Sequence, residues 1–190
     1  MDRMENRRAV FLDRDGVINR NRSDYVKSWS EFEFLDGALA ALARLAETDF
    51  HVLVITNQSA IARALTSREQ VEEIHRRMVE QAVRSGGRVD DILYCPHHPD
   101  EGCACRKPQP GLILRAGARH HLDLASSYMV GDSLEDMQAG LAAGCTLLLV
   151  RTGRGAEAIA RLDQWPGPHP FIVDDLAGAV TWILQEHRLG

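Results

Sequence analysis

Short apolar runs along the chain alternate with longer segments whose apolar residues recur at helical spacing. The runs are rich in Val, Ile and Leu and are bounded by polar or turn residues, which is typical of buried β-strands. They predict strands over residues 10–12, 51–56, 92–94, 127–130, 146–150 and 171–173. The periodic segments predict helices near 36–46, 67–84, 110–121, 133–144 and from 174 onward, with a short helix after residue 151. This alternation predicts an α/β fold with a mostly parallel sheet.

Three polar signals predict where helices begin. Asp36 can accept a hydrogen bond from the first turn of the helix that follows it. Thr66-Ser67-Arg68-Glu69 has the spacing of a capping box, in which a hydroxyl and an acid three residues later satisfy each other's backbone N–H groups. Ser133 and Asp136 have a matching spacing, which predicts a further helix start after the fourth strand.

The length, composition and charge of the chain favour a soluble single-domain protein. The 190 residues suffice for one domain with a hydrophobic core, which we expect to span residues 1–190. A net charge of −5 gives no basic footprint for nucleic acid. No apolar run is long enough for a membrane span, and the N-terminus has no signal-peptide core. We therefore expect a cytoplasmic monomer that binds neither nucleic acid nor a membrane.

The first predicted strand ends in two aspartates, Asp13 and Asp15, followed by Gly16. Because side chains alternate along a strand, the two carboxylates point the same way, just beyond the carboxyl edge of the sheet. Open α/β sheets bind their ligands at this edge. Paired carboxylates fit either an oxygen-ligated cation such as Mg²⁺ or a nucleophile beside a proton donor. The alternative is a solvated acidic turn.

Two further strands end in polar residues, and in a parallel sheet those ends share one edge. The second strand ends in Thr56-Asn57-Gln58 and the fourth in Gly131-Asp132. Thr56 could instead be a helix cap, Asp132 a turn residue, and Lys107 a surface lysine. Three polar strand ends on one edge favour a shared site.

These residue types supply what phosphoryl transfer requires, namely a nucleophile, a proton donor and positive charge around the phosphate. Asp13 can attack phosphorus, and Asp15 can protonate the leaving oxygen and later deprotonate water. Asp132, Asp13 and the backbone carbonyl of Asp15 can hold Mg²⁺. Thr56 offers a hydroxyl and Lys107 a fixed positive charge.

The chain resembles the haloacid dehalogenase (HAD) superfamily of phosphatases. The four motifs of that family occur in order as Asp13-x-Asp15-Gly16-Val17, Thr56, Lys107 and Gly131-Asp132-Ser133-x-x-Asp136. The resemblance implies a Rossmann-like sheet of order 5-4-1-2-3 with helices on both faces, and the catalytic roles given above. It also implies a flap, at about residues 17–34, and only a minimal cap.

A second cluster predicts a structural metal. Cys95, His97, Cys103 and Cys105 provide three thiolates and an imidazole, a standard tetrahedral Zn²⁺ set. Four protein ligands leave no open position, so the zinc would staple loop 95–105 rather than act in catalysis. His98 would then face solvent or substrate, and the alternative is a disulfide plus a free thiol.

Two groups within the HAD superfamily carry such a zinc loop, the D-glycero-D-manno-heptose 1,7-bisphosphate phosphatases and the histidinol-phosphate phosphatases. Segments 11–19, 56–63 and 130–139 resemble the heptose group. That resemblance implies cleavage of the C7 phosphate of a small sugar bisphosphate, in a pathway that supplies heptose for lipopolysaccharide. Arg106 would bind the distal C1 phosphate. The sugar would contact residues from the flap and from the second motif, namely Asn21, Arg22, Ser23, Asp24, Asn57, Gln58 and Ser59.

The chain departs from the pattern of the heptose group at three positions. Val17 stands in place of a threonine, Ala60 in place of a glycine, and Ser133 where many members have lysine. Histidinol-phosphate phosphatase is therefore kept as the alternative enzyme, and a zinc-stapled binding module without catalysis as a more distant one.

Overall fold

Six parallel strands form one sheet in a computed structural model that describes residues 7–189. The strands lie side by side in the order β3-β2-β1-β4-β5-β6. The predicted α/β class and the order 5-4-1-2-3 are therefore confirmed, with β6 added outside β5. Their bounds are Ala9–Leu12 (β1), His51–Asn57 (β2), Asp91–Cys95 (β3), Tyr128–Gly131 (β4), Thr146–Val150 (β5) and Phe171–Val173 (β6).

Helices cover both faces of the sheet. They are Ala38–Ala46 (α1), Arg68–Arg84 (α2), Gly111–His120 (α3), Leu134–Ala143 (α4), Gly155–Ile159 (α5) and Leu176–Leu189 (α6). Short 3₁₀ turns occur at Trp29–Glu31, Pro99–Glu101, Leu124–Ser126 and Leu162–Gln164. None of the helices in the described part of the chain is long and apolar enough to cross a membrane.

The sheet is buried from both sides because each strand alternates its side chains between two apolar cores. Val10 and Leu12 of β1 pack in the core shared with α1, α2 and α6. Ala9 and Phe11 pack in the opposite core, shared with α3, α4 and α5. All four residues of β1 are fully buried, which explains its unbroken apolar sequence.

The capping residues predicted from the sequence differ from the observed N-caps at α1 and α2. The N-cap of α1 is Gly37, which has a φ of 77° and no side-chain cap, so the predicted cap at Asp36 is wrong. Ser67 rather than Thr66 caps α2 by accepting a hydrogen bond from Gln70 N. Thr66 instead donates to the carbonyl of Lys27. These differences arise because the neighbouring backbone, which a local motif does not encode, decides which polar residue faces the helix end.

The flap, residues 17–34, folds against the sheet instead of forming a separate cap domain. Its two ends are joined by an antiparallel bridge between Asn19 and Phe34. Phe32 stacks on Trp29 and meets Phe34 edge to face, with ring centroids 5.0 Å apart in each pair. The aromatic cluster packs on the core that α1 and α2 share. The flap therefore rests on the protein next to the carboxyl ends of the strands.

The register of the sheet brings the predicted strand ends together. Leu12 at the end of β1 pairs with Val54 of β2 on one side and with Val130 of β4 on the other. The residues just beyond these pairs, including Asp13 and Asp132, consequently lie along one edge. This edge carries the candidate site.

Candidate active site

A cavity of about 350 Å³ opens at the carboxyl edge of the sheet, between the strand ends and the flap. Its wall contains eleven of the predicted catalytic and substrate-binding residues, namely Asp13, Asp15, Asn21, Arg22, Ser23, Thr56, Asn57, Gln58, Ser59, Arg106 and Lys107. Residues far apart in sequence thus meet where the parallel strands end.

Lys107 is bonded between two carboxylates at the floor of the site. Its Nζ lies 2.7 Å from Asp13 Oδ1, 2.6 Å from Asp136 Oδ1 and 2.8 Å from the carbonyl oxygen of Ile55. Burial lowers the pKa of Lys107, but the charges of Asp13 and Asp136 outweigh it and the net pKa is raised. The side chain is therefore an ammonium at neutral pH.

Asp13 is a buried carboxylate whose charge is only partly balanced. Burial and the charges of Asp136 and Asp15 raise its pKa while Lys107 lowers it, and the net pKa is about 6. The carboxylate form therefore predominates at neutral pH. A cation bound beside Asp13 would favour that form further.

Asp132 is fixed between two glycines. A Cβ added at Gly16 or at Gly153 would lie 2.0 or 2.1 Å from Asp132 Oδ2, and both glycines have positive φ, 90° and 60°. Asp132 Oδ2 accepts a hydrogen bond from the backbone N–H of Arg154 at 2.8 Å. The other oxygen, Oδ1, is buried without a hydrogen-bond partner among the described residues. Burial and the charges of Asp13 and Asp136 raise the pKa of Asp132 to about 8.

Asp13, Asp132 and Asp136 each have an oxygen within 4.8 Å of the others, an arrangement that could hold a cation. Both oxygens of Asp136 already have donors, because Oδ2 accepts from the backbone N–H of Asp132 and from the N–H and hydroxyl of Ser133. Its Oδ1 is bonded to Lys107. Asp136 therefore suits an orienting role, whereas Asp132 Oδ1, which accepts no hydrogen bond from the described residues, fits a hard divalent ion.

Asp15 is held by three side chains. Arg14 Nη2 and Asn19 Nδ2 lie 3.0 and 2.9 Å from Oδ1, and Gln58 Nε2 donates to Oδ2 at 3.0 Å. Burial raises the pKa of Asp15, but the charge of Arg14 and the hydrogen bonds of Asn19 and Gln58 outweigh it, so the net pKa is lowered. Asp15 is consequently fixed in orientation and ionised in the resting site.

The second-motif residues are engaged with their neighbours. Asn57 pairs with the backbone of Lys107, donating to its carbonyl and accepting from its N–H, at 3.1 Å each. Gln58 donates to Thr56 Oγ1 at 2.9 Å and accepts from Arg14. Within residues 7–189 the Thr56 hydroxyl has no hydrogen-bond acceptor, so it can donate to a ligand. Sugar contacts by Asn57 and Gln58 stay a prediction, although both amides hold other parts of the site.

Arg106 lies at the rim and has unused hydrogen-bonding capacity. It lines both the cavity and a neighbouring depression, together with Pro99 and Glu135. Its Nη1 is buried and has no partner within the described part of the chain. A buried guanidinium nitrogen without an acceptor is costly, so this position suits an anionic ligand.

The predicted flap residues divide into two sets. Asn21, Arg22 and Ser23 line the cavity from the flap side. Asp24 is not part of the cavity wall and instead pairs with Arg22 and Lys27. Asp24 can therefore affect a ligand through Arg22, which it holds.

The four predicted zinc ligands form one compact cluster. The three sulfur atoms of Cys95, Cys103 and Cys105 lie 3.3 to 3.5 Å apart. His97 Nδ1 lies 3.2 Å from the sulfur of Cys105. A tetrahedral Zn²⁺ with bonds of about 2.3 Å to sulfur places its ligands just under about 4 Å apart, so the cluster fits this ion. His98 does not join it and instead caps the 3₁₀ turn Pro99–Glu101.

The comparisons with known proteins agree with this geometry. The HAD-hydrolase-like family model matches residues 104–179. The D-glycero-beta-D-manno-heptose-1,7-bisphosphate 7-phosphatase of Bordetella bronchiseptica is 43% identical over 179 residues, which cover 94% of this chain and 99% of the relative. This chain belongs to the D-glycero-beta-D-manno-heptose-1,7-bisphosphate 7-phosphatase family. The member from Escherichia coli K12 is 46% identical over 154 residues, or 77% of this chain and 80% of that one.

A solved structure of this heptose phosphatase family has the same fold. The D,D-heptose 1,7-bisphosphate phosphatase of B. bronchiseptica, complexed with magnesium and phosphate, matches with a TM-score of 0.89 and 43% identity, covering 94% of this chain and 99% of that one. The resemblance to HAD phosphatases is thus confirmed, and the chain is a phosphoric monoester hydrolase. The hypothesis of a non-catalytic binding module is set aside.

Sequence reasoning gave no role at the site of this phosphatase to Arg14, Asn19 or Arg154. Arg14 is fully buried and bonds Asp15, and the available signal was its place between two motif aspartates. Arg154 lines the cavity, with its Nη2 3.9 Å from Asp132 Oδ1. It follows β5, which lies beside β4, so strand order already places it at the same edge.

Proposed function

We propose that this chain hydrolyses the C7 phosphate of D-glycero-β-D-manno-heptose 1,7-bisphosphate in a Mg²⁺-dependent reaction. The proposal rests chiefly on similarity over nearly the full length to enzymes named for that reaction. The site supports it with a buried carboxylate, Asp13, that can attack one phosphate, and an unpartnered guanidinium nitrogen of Arg106 that can hold the other. Heptose 1-phosphate and inorganic phosphate are the products.

Asp13 is the nucleophile in this proposal. Lys107 holds one oxygen of Asp13, and we assign the attack on phosphorus to the other oxygen. The new P–O bond to Asp13 forms as the bond between phosphorus and the C7 oxygen breaks. Water then attacks the aspartyl-phosphate, which releases inorganic phosphate and restores the carboxylate.

Asp15 carries the proton. Because its pKa is lowered in the resting site, it must take up a proton when the negatively charged phosphate binds beside it. It then gives that proton to the C7 oxygen and later removes one from the attacking water. The bonds from Asn19 and Gln58 keep the carboxylate aligned throughout.

The residues that would hold Mg²⁺ are Asp13, Asp132 and the backbone carbonyl of Asp15. When bound, the ion neutralises charge on the phosphate oxygens. Asp136 supports this set by accepting hydrogen bonds from Lys107 and Ser133. The Mg²⁺ in the related structure from B. bronchiseptica is consistent with the proposal.

Zinc has a different part in the proposal. The cluster of Cys95, His97, Cys103 and Cys105 would bind one structural Zn²⁺ and fix the loop that leads into Arg106 and Lys107. Clustered cysteines that form no disulfide are typical of reducing compartments, which favours a cytoplasmic location. We expect a single-domain monomer, because among the described exposed large apolar residues only Phe171 and Ile172 share an element, the short strand β6.

A phosphate-release screen with Mg²⁺ tests the proposed function. The substrates are heptose 1,7-bisphosphate, fructose 1,6-bisphosphate and histidinol phosphate, and the heptose is expected to have the highest kcat/KM. Histidinol phosphate has no second phosphate to use Arg106, and a preference for it would overturn the assignment. Asp13→Asn is the negative control and should abolish turnover, whereas retained activity would rule out the aspartyl-phosphate route.

A further inference from the structure

A histidine that takes no part in the proposed chemistry lies within reach of the site. His75 is on the inner face of α2, only 6% exposed, and its Nε2 is 3.1 Å from Nη1 of Arg14. Its ring packs edge to face on Tyr94, with centroids 5.4 Å apart. A polar side chain buried this deeply on a helix face that is otherwise apolar requires a partner, and Arg14 is that partner.

Arg14 needs acceptors in several directions because a guanidinium stays protonated and all of its N–H groups are donors. It is fully buried. Its Nη2 bonds Asp15 and Gln58, its Nη1 bonds His75, and its Nε has no partner among the described residues. Removing the acceptor at position 75 would leave a second part of a buried cation unsatisfied.

The protonation state of His75 decides which group donates in its hydrogen bond with Arg14. Burial and the neighbouring guanidinium lower the pKa of His75 to about 3, so the imidazole is neutral at working pH. A neutral ring accepts a hydrogen bond at one nitrogen only, and next to Arg14 that nitrogen is Nε2, which leaves the proton on Nδ1.

We propose that His75 is a positioning residue that acts through Arg14 on the proton-transferring carboxylate of Asp15. The imidazole fixes the guanidinium and the guanidinium fixes the carboxylate, so the chain of contacts runs from helix α2 to Asp15, the proton donor of the proposed reaction. The inference rests on the proposed role of Asp15. Neither His75 nor its bond to Arg14 touches the rim residue Arg106, so binding of the distal phosphate is unaffected.

The test compares an acceptor with an apolar side chain at position 75. His75→Gln keeps an acceptor oxygen near the place of Nε2, whereas His75→Leu removes it, and His75→Met is a second apolar variant if His75→Leu does not fold. Ile74→Val, a fully buried neighbour on α2, is the matched control for loss of packing. Circular dichroism establishes that each variant is folded.

Two substrates distinguish positioning from a general structural effect. A sugar phosphate needs a proton on its leaving oxygen, whereas 4-nitrophenyl phosphate has an acidic leaving group that departs without one. His75→Leu is expected to lower kcat/KM for heptose bisphosphate by about 10- to 100-fold, with a far smaller change for 4-nitrophenyl phosphate. His75→Gln should remain within about threefold of the wild type for both substrates, since an acceptor is retained.

Equal losses of kcat/KM for the two substrates would overturn the proposal. Equal losses of kcat/KM for heptose bisphosphate in His75→Gln and His75→Leu would also overturn it. Full activity of a folded His75→Leu or His75→Met protein would do so too. If the wild type turns over 4-nitrophenyl phosphate but not the heptose, the proposed substrate is wrong. The comparison is then made with whichever alkyl phosphate of the screen is hydrolysed, and it still decides the role of His75.

Discussion

At the scale of single residues, the site depends on carboxylates whose positions are fixed by close neighbours. Asp132 has its position because Gly16 and Gly153 leave space for one carboxylate oxygen between their backbones. Asp15 has its orientation because three donors surround it. Such constraints keep the reacting groups in place before a substrate arrives, which spares reorganisation during the reaction.

Gly153→Ala should remove activity by displacing Asp132. The added Cβ would lie 2.1 Å from Asp132 Oδ2 and 2.6 Å from Gly16 Cα, so the carboxylate or the backbone of Gly16 must shift. The measurement is kcat/KM as a function of Mg²⁺ concentration, and we expect a loss of apparent Mg²⁺ affinity.

Gly144→Ala is the matched control, because Gly144 also has positive φ but its Cβ would meet open space. Both variants should lose about 1–2 kcal/mol of stability from the left-handed backbone. Only the variant at position 153 should lose activity. Equal activities in the two variants would contradict the displacement of Asp132 by the added Cβ.

Arg106→Ala should raise the KM of a bisphosphate more than that of a monophosphate. The lost hydrogen bond to a charged phosphate contributes about 1.5–3 kcal/mol, or about tenfold or more in KM. Arg115→Ala, at an exposed arginine of α3, is the control and should leave both values unchanged. A parallel rise in KM for both substrates would remove the proposed role.

At the scale of elements, strands were easier to predict than side-chain partners. β5 and β6 have the predicted bounds, because continuous apolar runs between turns leave little choice. Asp13, Asp15, Thr56 and Asp132 were placed on one edge from strand parity and parallel order alone.

Tertiary contacts decided what the sequence pattern left open. The sugar contacts of Asn57 and Gln58 stay a prediction, and the sequence did not show that their amides also bond the backbone of Lys107 and the side chains of Arg14 and Asp15. A local sequence motif does not show which of several possible hydrogen-bond partners the folded chain places beside an amide. Predicting such partners requires the packing of separate elements.

The zinc loop is an element that should lose its order without metal. Cys103→Ser should lower the zinc content from about one ion per chain and raise KM, because the loop leads directly into Arg106 and Lys107. Elemental analysis after dialysis against EDTA measures the metal. Cys145→Ala is the control, since Cys145 is buried away from the cluster. Absence of zinc from freshly purified, reduced wild type would refute the cluster assignment.

At the scale of the whole molecule, stability should depend on pH and Mg²⁺ together. The pKa of Asp132 is raised from 3.8 to about 8, so the folded protein binds this proton more tightly than the unfolded chain. The free energy of unfolding should therefore fall as pH rises between these values when Mg²⁺ is absent.

Added Mg²⁺ should reverse this trend, stabilising the protein more at pH 8 than at pH 6, because protons compete with the ion for the carboxylates. Urea unfolding at both pH values, with NaCl matched for ionic strength, measures the effect. Asp132→Asn should flatten the dependence. A wild-type protein whose stability rises with pH in Mg²⁺-free buffer would contradict the assigned pKa.

The bonding of Lys107 also bears on the order in which ligands bind. All three of its N–H groups are taken by Asp13, Asp136 and Ile55, so it influences a phosphate through its field and not by a direct hydrogen bond. Asp13, Asp132 and Asp136 lie together beside the Lys107 ammonium, and burial and their mutual repulsion raise the pKa values of Asp13 and Asp132. A phosphate dianion that arrives first would add negative charge beside these carboxylates, whereas a divalent ion offsets their charge. The metal is therefore expected to bind first and the sugar second.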